Sequence, residues 1–147
     1  MTVLPNCGDF NRGLDLFNRA HFFDAHEALE DVWRALDRDG PGDRPSPRNL
    51  RQHVQGMVQL AVAFHHESTG NHEGARSVLD RALRNLNGAD SSFPDLDLDR
   101  LRAELALWQR FLNDPEGAGS KKDQKKWDGM GVRQHAAPAL PKITRRR

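Results

Sequence analysis

The sequence predicts an all-α protein: a compact closed bundle of about five helices, two similar helical hairpins plus a C-terminal helix, then an extended basic tail. Three observations carry this. Apolar residues recur at helical spacing in five separate stretches. No stretch alternates apolar and polar residues with the β-branched or aromatic enrichment of a strand. Gly, Pro, Asn and Asp punctuate the gaps between the five. A length of 147 residues, 37% of them hydrophobic, supports one modest core and leaves no room for a separate cofactor domain.

The first helix is expected over residues 9–19, with Asp9 as N-cap and Phe10, Leu14 and Phe17 on one face. The second, over 22–36, aligns Phe22, Ala25, Leu29, Val32 and Leu36, with Phe23, His26 and Trp33 flanking that stripe. A loop rich in Gly, Pro and Asp follows over 37–47. Ser46 and Pro47 read as N-cap and first residue of a third helix reaching Ser68. Between residues 54 and 64 the only polar side chains are Gln55 and Gln59, so this helix should be central and buried on nearly all sides. Gly56 would let a neighbour approach closely.

Gly70 is a natural stop and Asn71 the next cap, opening a fourth helix over 71–85 with Ala75, Val78, Leu79, Ala82, Leu83 and Leu86 inward. Asp97 can cap a fifth over 97–112, which Asn113, Asp114 and Pro115 end. At an offset of 50 residues Ala20, Ala25, Leu29, Val32 and Leu36 fall on Gly70, Ala75, Leu79, Ala82 and Leu86, as two hairpins built alike would require. Two units are too few for an open solenoid, so the bundle should close with the fifth helix as lid.

Charge divides the chain into a helical domain, 1–114, and a flexible basic tail, 115–147. Residues 120–147 hold nine basic and two acidic residues, a local charge of +7, against −6 for residues 1–119. Within the tail Trp127, Met130 and Val132 could dock back on the body, and the run PALPKI at 138–143 reads as extended because its prolines stop helices. Nine cations with a single Trp could hold nucleic acid non-specifically. A solvated, solubilising end is the favoured reading.

Several function classes are excluded. The single cysteine, Cys7, rules out a disulfide framework or a multi-Cys zinc site. The longest apolar run without charge, 54–64, is about half a membrane span. The N-terminus lacks a signal peptide's apolar stretch, so a cytoplasmic protein without membrane contact is expected. There is no Walker loop, no GxGxxG and no GxSxG.

The segment AHEALEDVW, residues 25–33, is the most pointed. On a helix His26 and Glu30 project from one face with Trp33 one turn further, and Glu27 lies about 100° round. His and Glu at this spacing can ligate one metal ion, although HExxE departs from the HExxH of metalloproteases at its second ligand. On the third helix Gln59 and His66 share a face, with Gln55 beside them. An unsatisfied Gln59 would cost roughly 1–3 kcal/mol, so it needs a partner, for which the His26 and Glu30 strip is the expected candidate. The resulting cluster would use His26, Glu30 and His66 as metal ligands, with His65 or Glu27 as further donors, Gln55, Gln59 and Trp33 as binding groups, and Glu27 or Glu30 as general base on a metal-bound water. Such donors favour zinc, manganese or iron over magnesium.

Two function classes follow. One is a pocket protein that binds a divalent metal or a small polar ligand, metal-assisted hydrolysis included. The other is a non-catalytic interaction or structural module with a protein partner, in which the same polar groups only fix helix packing and Glu30 pairs with Arg34.

The ordered motifs FFDAHEALEDVW, QGMVQLAVAFHH and GNHEGARSVL, with PALPKI late in the chain, resemble those of domain of unknown function family 309. The resemblance runs from Phe10 to Leu86 and carries over His26, Glu27, Glu30, Trp33, Gln55, Gly56, Gln59, His66, Gly70, Asn71, Gly74 and Ala75. It implies a compact all-α fold and no established activity. The sequence departs from the pattern at Ala20, where the family often has a Gly turn, and in its longer, more charged basic end.

Overall fold

The computed structural model describes residues 7–38, 49–113 and 137–146. All five expected helices are present: α1 (Cys7–Asn18), α2 (Phe22–Arg38), α3 (Leu50–Ser68), α4 (His72–Asn85) and α5 (Leu98–Asn113), with a 3-10 turn at Ala89–Ser91 between the last two. Among the described residues there is no strand, only an isolated antiparallel bridge between Leu96 and Arg145. No described helix is long and apolar enough to cross a membrane.

Two of the expected caps form. Asn71 Oδ1 accepts from the Gly74 N–H at 3.0 Å, and Asp97 Oδ1 from the Arg100 N–H at 3.1 Å. Two boundaries shift. The first helix opens at Cys7, so Asp9 lies inside its first turn, where the helix dipole favours a carboxylate. The third has Asn49 at its N-cap, without a side-chain cap bond. Ser46 and Pro47 lie outside the described residues, as do Trp127, Met130 and Val132.

The 50-residue echo is a repeated turn. After α1 the Ala20 N–H reaches the Phe17 carbonyl at 2.9 Å and the His21 N–H the Leu16 carbonyl at 2.9 Å. After α3 the Gly70 N–H reaches Glu67 at 3.1 Å and the Asn71 N–H reaches His66 at 2.8 Å, each pair displaced by 50 positions from the first. Both turns need a left-handed residue, Gly70 at φ 85° and Ala20 at φ 65°. Left-handed alanine carries a Cβ clash that glycine lacks, about 1–2 kcal/mol, partly offset by glycine's greater freedom in the unfolded chain. Ala20→Gly is therefore expected to stabilise the exposed turn by about 0.5–1 kcal/mol and to raise Tm by about 2 °C in a thermal melt. Gly70→Ala, with nothing within 4 Å of its new Cβ, should lower Tm comparably.

Central placement of α3 follows from its composition. Packed against α2 on one side and α4 on the other, it buries Leu50, Val54, Met57, Leu60, Ala61 and Phe64. Phe64 closes the bundle. Its ring meets Phe22 at 5.6 Å, Phe17 at 6.0 Å and Trp108 of α5 at 5.1 Å between centroids, so one side chain joins both hairpins to the last helix. Arg102 of α5 adds a polar tie by donating to the Leu86 carbonyl at 3.0 Å and the Asp90 carboxylate at 2.7 Å. That hydrogen bond holds the Asp90 carboxyl below the usual carboxylate range.

Candidate functional site

Helical spacing on α2 sets the first half of the site. Phe22 is buried, so Phe23, about 100° round, emerges at the surface with half its area exposed. His26 and Glu30 follow on the same strip, and their side chains meet at 2.9 Å, His26 Nε2 to Glu30 Oε2. The other Glu30 oxygen accepts from Arg34 at 2.7 Å, the pairing expected of the purely structural alternative. Glu27 is exposed. Trp33 is half-buried against the core, with the Arg51 guanidinium 3.8 Å from its ring centroid. Its indole N–H is buried and has no hydrogen-bond partner among the described residues.

The other half, on α3, is arranged differently from the sequence-based expectation. Gln59 finds its partner on α4, where Asn85 Nδ2 donates to Gln59 Oε1 at 2.6 Å. His66 sits at the turn of the second hairpin, its Nδ1 3.4 Å from Asn71 Nδ2. Gln55 is half-buried. The histidine that approaches α2 is His65, whose ring lies 5.5 Å from Phe23, itself 5.7 Å from His26. The rings of His26, Phe23, His65 and His66 thus form a row across the α2–α3 seam, with His65 and His66 at 6.3 Å.

The expected convergence of His26, Glu30, Gln59 and His66 is therefore corrected to a set of local pairs. Among the described residues no group of three or more His, Cys, Asp and Glu side chains stands where it could hold a metal ion. The physical reason is that α3 has two helical neighbours. Gln59 lies one turn beyond Gly56, where α4 packs closely, and it shares that face.

One polar pair escaped the sequence reading. His53 is 1% exposed, with Nδ1 at 2.6 Å from Ser92 Oγ and Nε2 at 3.1 Å from the Asn87 carbonyl. Its position was a usable signal, since residue 53 falls on the apolar stripe of Leu50, Val54, Met57 and Phe64 and so had to be buried. Its partner, 39 residues away in the irregular segment before α5, had none.

Comparison with known proteins adds a family. Residues 10–78, from α1 into α4, match Domain of unknown function (DUF309). The chain is similar to "Uncharacterized protein YpuF" of Bacillus subtilis (strain 168), 30% identical over 101 residues that make up 69% of this chain and 52% of that protein. It is also similar to an "Uncharacterized protein" of Aquifex aeolicus (strain VF5), 26% identical over 89 residues, 60% of this chain and 24% of that one. The chain thus spans about half the length of the first relative and a quarter of the second. No solved structure matches it. Residues 10–78, which carry the helical motifs described above, are thus similar to the family Domain of unknown function (DUF309).

Proposed function

We propose that the protein is a non-catalytic interaction module, in which the motif polar groups fix helix packing and the ring row around Phe23 meets a protein partner. One observation supports this reading above others: polar motif groups are engaged inside the chain, His26 with Glu30, Glu30 with Arg34, Gln59 with Asn85 and His66 with Asn71, while an aromatic ring between them stays half exposed. The Gln59–Asn85 bond ties α3 to α4, the His26, Glu30 and Arg34 pairs stay within α2, and exposed aromatic side chains are enriched at protein interfaces.

A competing reading, metal-assisted hydrolysis with Glu27 or Glu30 as base and zinc, manganese or iron as cofactor, rests on the 2.9 Å contact between His26 and Glu30. Titration calorimetry with each of these metals, on protein purified without chelator, separates the two. The interaction module is expected to take up no stoichiometric metal, and His26→Ala should give the same trace as the wild type. One metal ion per chain, lost in His26→Ala, would replace this proposal with the metal reading.

A further inference from the structure

The body holds residues 137–146 by hydrogen bonds to their backbone together with side-chain contacts of Lys142, Arg145 and Arg146. Asn18, the last residue of α1, accepts from the Ile143 N–H at 2.7 Å and donates to the Ile143 carbonyl at 2.9 Å, the two-bond pattern a neighbouring strand would offer. Upstream, the Trp108 indole N–H donates to the Ala139 carbonyl at 3.0 Å and the Lys142 N–H to Glu104 at 3.1 Å. Downstream, the Asp97 N–H donates to the Thr144 carbonyl at 2.8 Å and the Arg146 N–H to the Asp95 carbonyl at 2.6 Å. Between these bonds Ile143 is an anchor, 4% exposed, and Pro141 is buried beside it.

Charge adds direction. Arg145 lies 3.7 Å from the Asp95 carboxylate, and Arg146 lies 3.7 Å from Asp90 and 4.0 Å from Asp99. Backbone bonds for affinity, one pocket for an aliphatic side chain and an acidic rim for basic residues are the parts of a site that binds peptides by strand addition. None of these contacts depends on the segment's being joined to its own α5.

We infer that this face, built from α1, α5 and residues 93–97, is a peptide-binding groove for an extended Pro-Lys-Ile-Thr-Arg-Arg segment, and that its partner in trans is the same segment of a second copy of this chain. Residues 114–136 lie between α5 and the segment, a chain length whose fully extended reach is roughly 75 Å, enough to enter a neighbouring body. The contacts are the same in cis and in trans, so exchange between two copies costs no bond and yields a reciprocal pair. The inference concerns a face other than the Phe23 row and stands apart from the proposal made for it.

Two full-length variants test it by complementation. Ile143→Asp spoils the segment and leaves the groove; Asn18→Leu spoils the groove and leaves the segment. Each alone should sediment as a monomer, and their mixture should form a 1:1 dimer in sedimentation velocity. Two variants with native helical circular dichroism that stay monomeric when mixed would overturn the inference. If either fails to fold, a fluorescein-labelled peptide of residues 137–147 is added to full-length Ile143→Ala. Its anisotropy should rise to saturation, with affinity at least about tenfold weaker in the Asn18→Ala, Ile143→Ala double variant, which lacks the two amide bonds. No binding, or equal affinity for both variants, would overturn it.

Discussion

Replacing His53 with alanine is expected to destabilise the protein by about 3 kcal/mol, because the change opens a cavity and orphans a buried hydroxyl together. The geometry fixes the tautomer. The Asn87 carbonyl only accepts, so His53 Nε2 carries the proton and Nδ1 accepts from the Ser92 hydroxyl. With His53 at 1% exposure and Ser92 at 5%, water has no ready access to replace the lost ring. Once the ring is gone, Ser92→Ala removes the stranded hydroxyl and should return about 1 kcal/mol, so the double variant is more stable than the sum of the single losses. Urea unfolding at constant m measures both quantities. A loss under about 1 kcal/mol for His53→Ala, or strict additivity in the cycle, would show that the pair is not a buried hydrogen bond.

His53 and Gln59 together show what a sequence of this kind discloses. Periodicity fixed which residues of α3 are inward: Leu50, Val54, Met57 and Phe64 repeat at helical spacing, and the buried set follows that stripe. It also placed Gln59 and His66 on one side of the helix. What periodicity does not encode is which neighbour occupies that side, because a central helix in a hairpin array has one before it and one after it. The expectation chose α2, where His26 and Glu30 offered attractive chemistry; the structure gives Gln59 to Asn85 of α4. Gly56 held part of the missing information, since a glycine in a helix allows a neighbour to approach closely, and here that neighbour is α4. Turns were legible for the opposite reason. Asn71 and Asp97 cap through bonds only three residues long, whereas the Ser92 and Asn18 contacts span 39 and 125 positions and leave no local trace. That 138–143 is not helical was readable from its prolines, but its seat on α1 and α5 depends on a side-chain amide at the end of a distant helix.

Gly56→Val should cost about 3–4 kcal/mol, and Gly56→Ala about 1–2 kcal/mol despite alanine's better helix propensity. A Cβ at this position would stand 2.8 Å from Leu86 Cγ, 3.0 Å from its Cδ2 and 3.3 Å from the Ala82 carbonyl oxygen. Leu86 is buried at 2% exposure, and the Ala82 oxygen belongs to the backbone of α4. Relief therefore requires the two helices to separate, and separation lengthens the 2.6 Å bond between Gln59 and Asn85 and loosens the apolar contact around it. The gain in propensity, about 1 kcal/mol for Gly to Ala in a helix, offsets only part of this for alanine, and valine adds β-branched bulk against the same wall. Gly8→Ala on α1 is the control, because its Cβ meets nothing within 4 Å and the substitution should stabilise by up to about 1 kcal/mol. Urea midpoints for the three variants decide the matter. If Gly56→Ala matched Gly8→Ala in sign, α3 and α4 would have to pack with more slack than the Leu86 contact allows, and Gln59 would lose the close neighbour that draws it away from the histidines of the α2 seam.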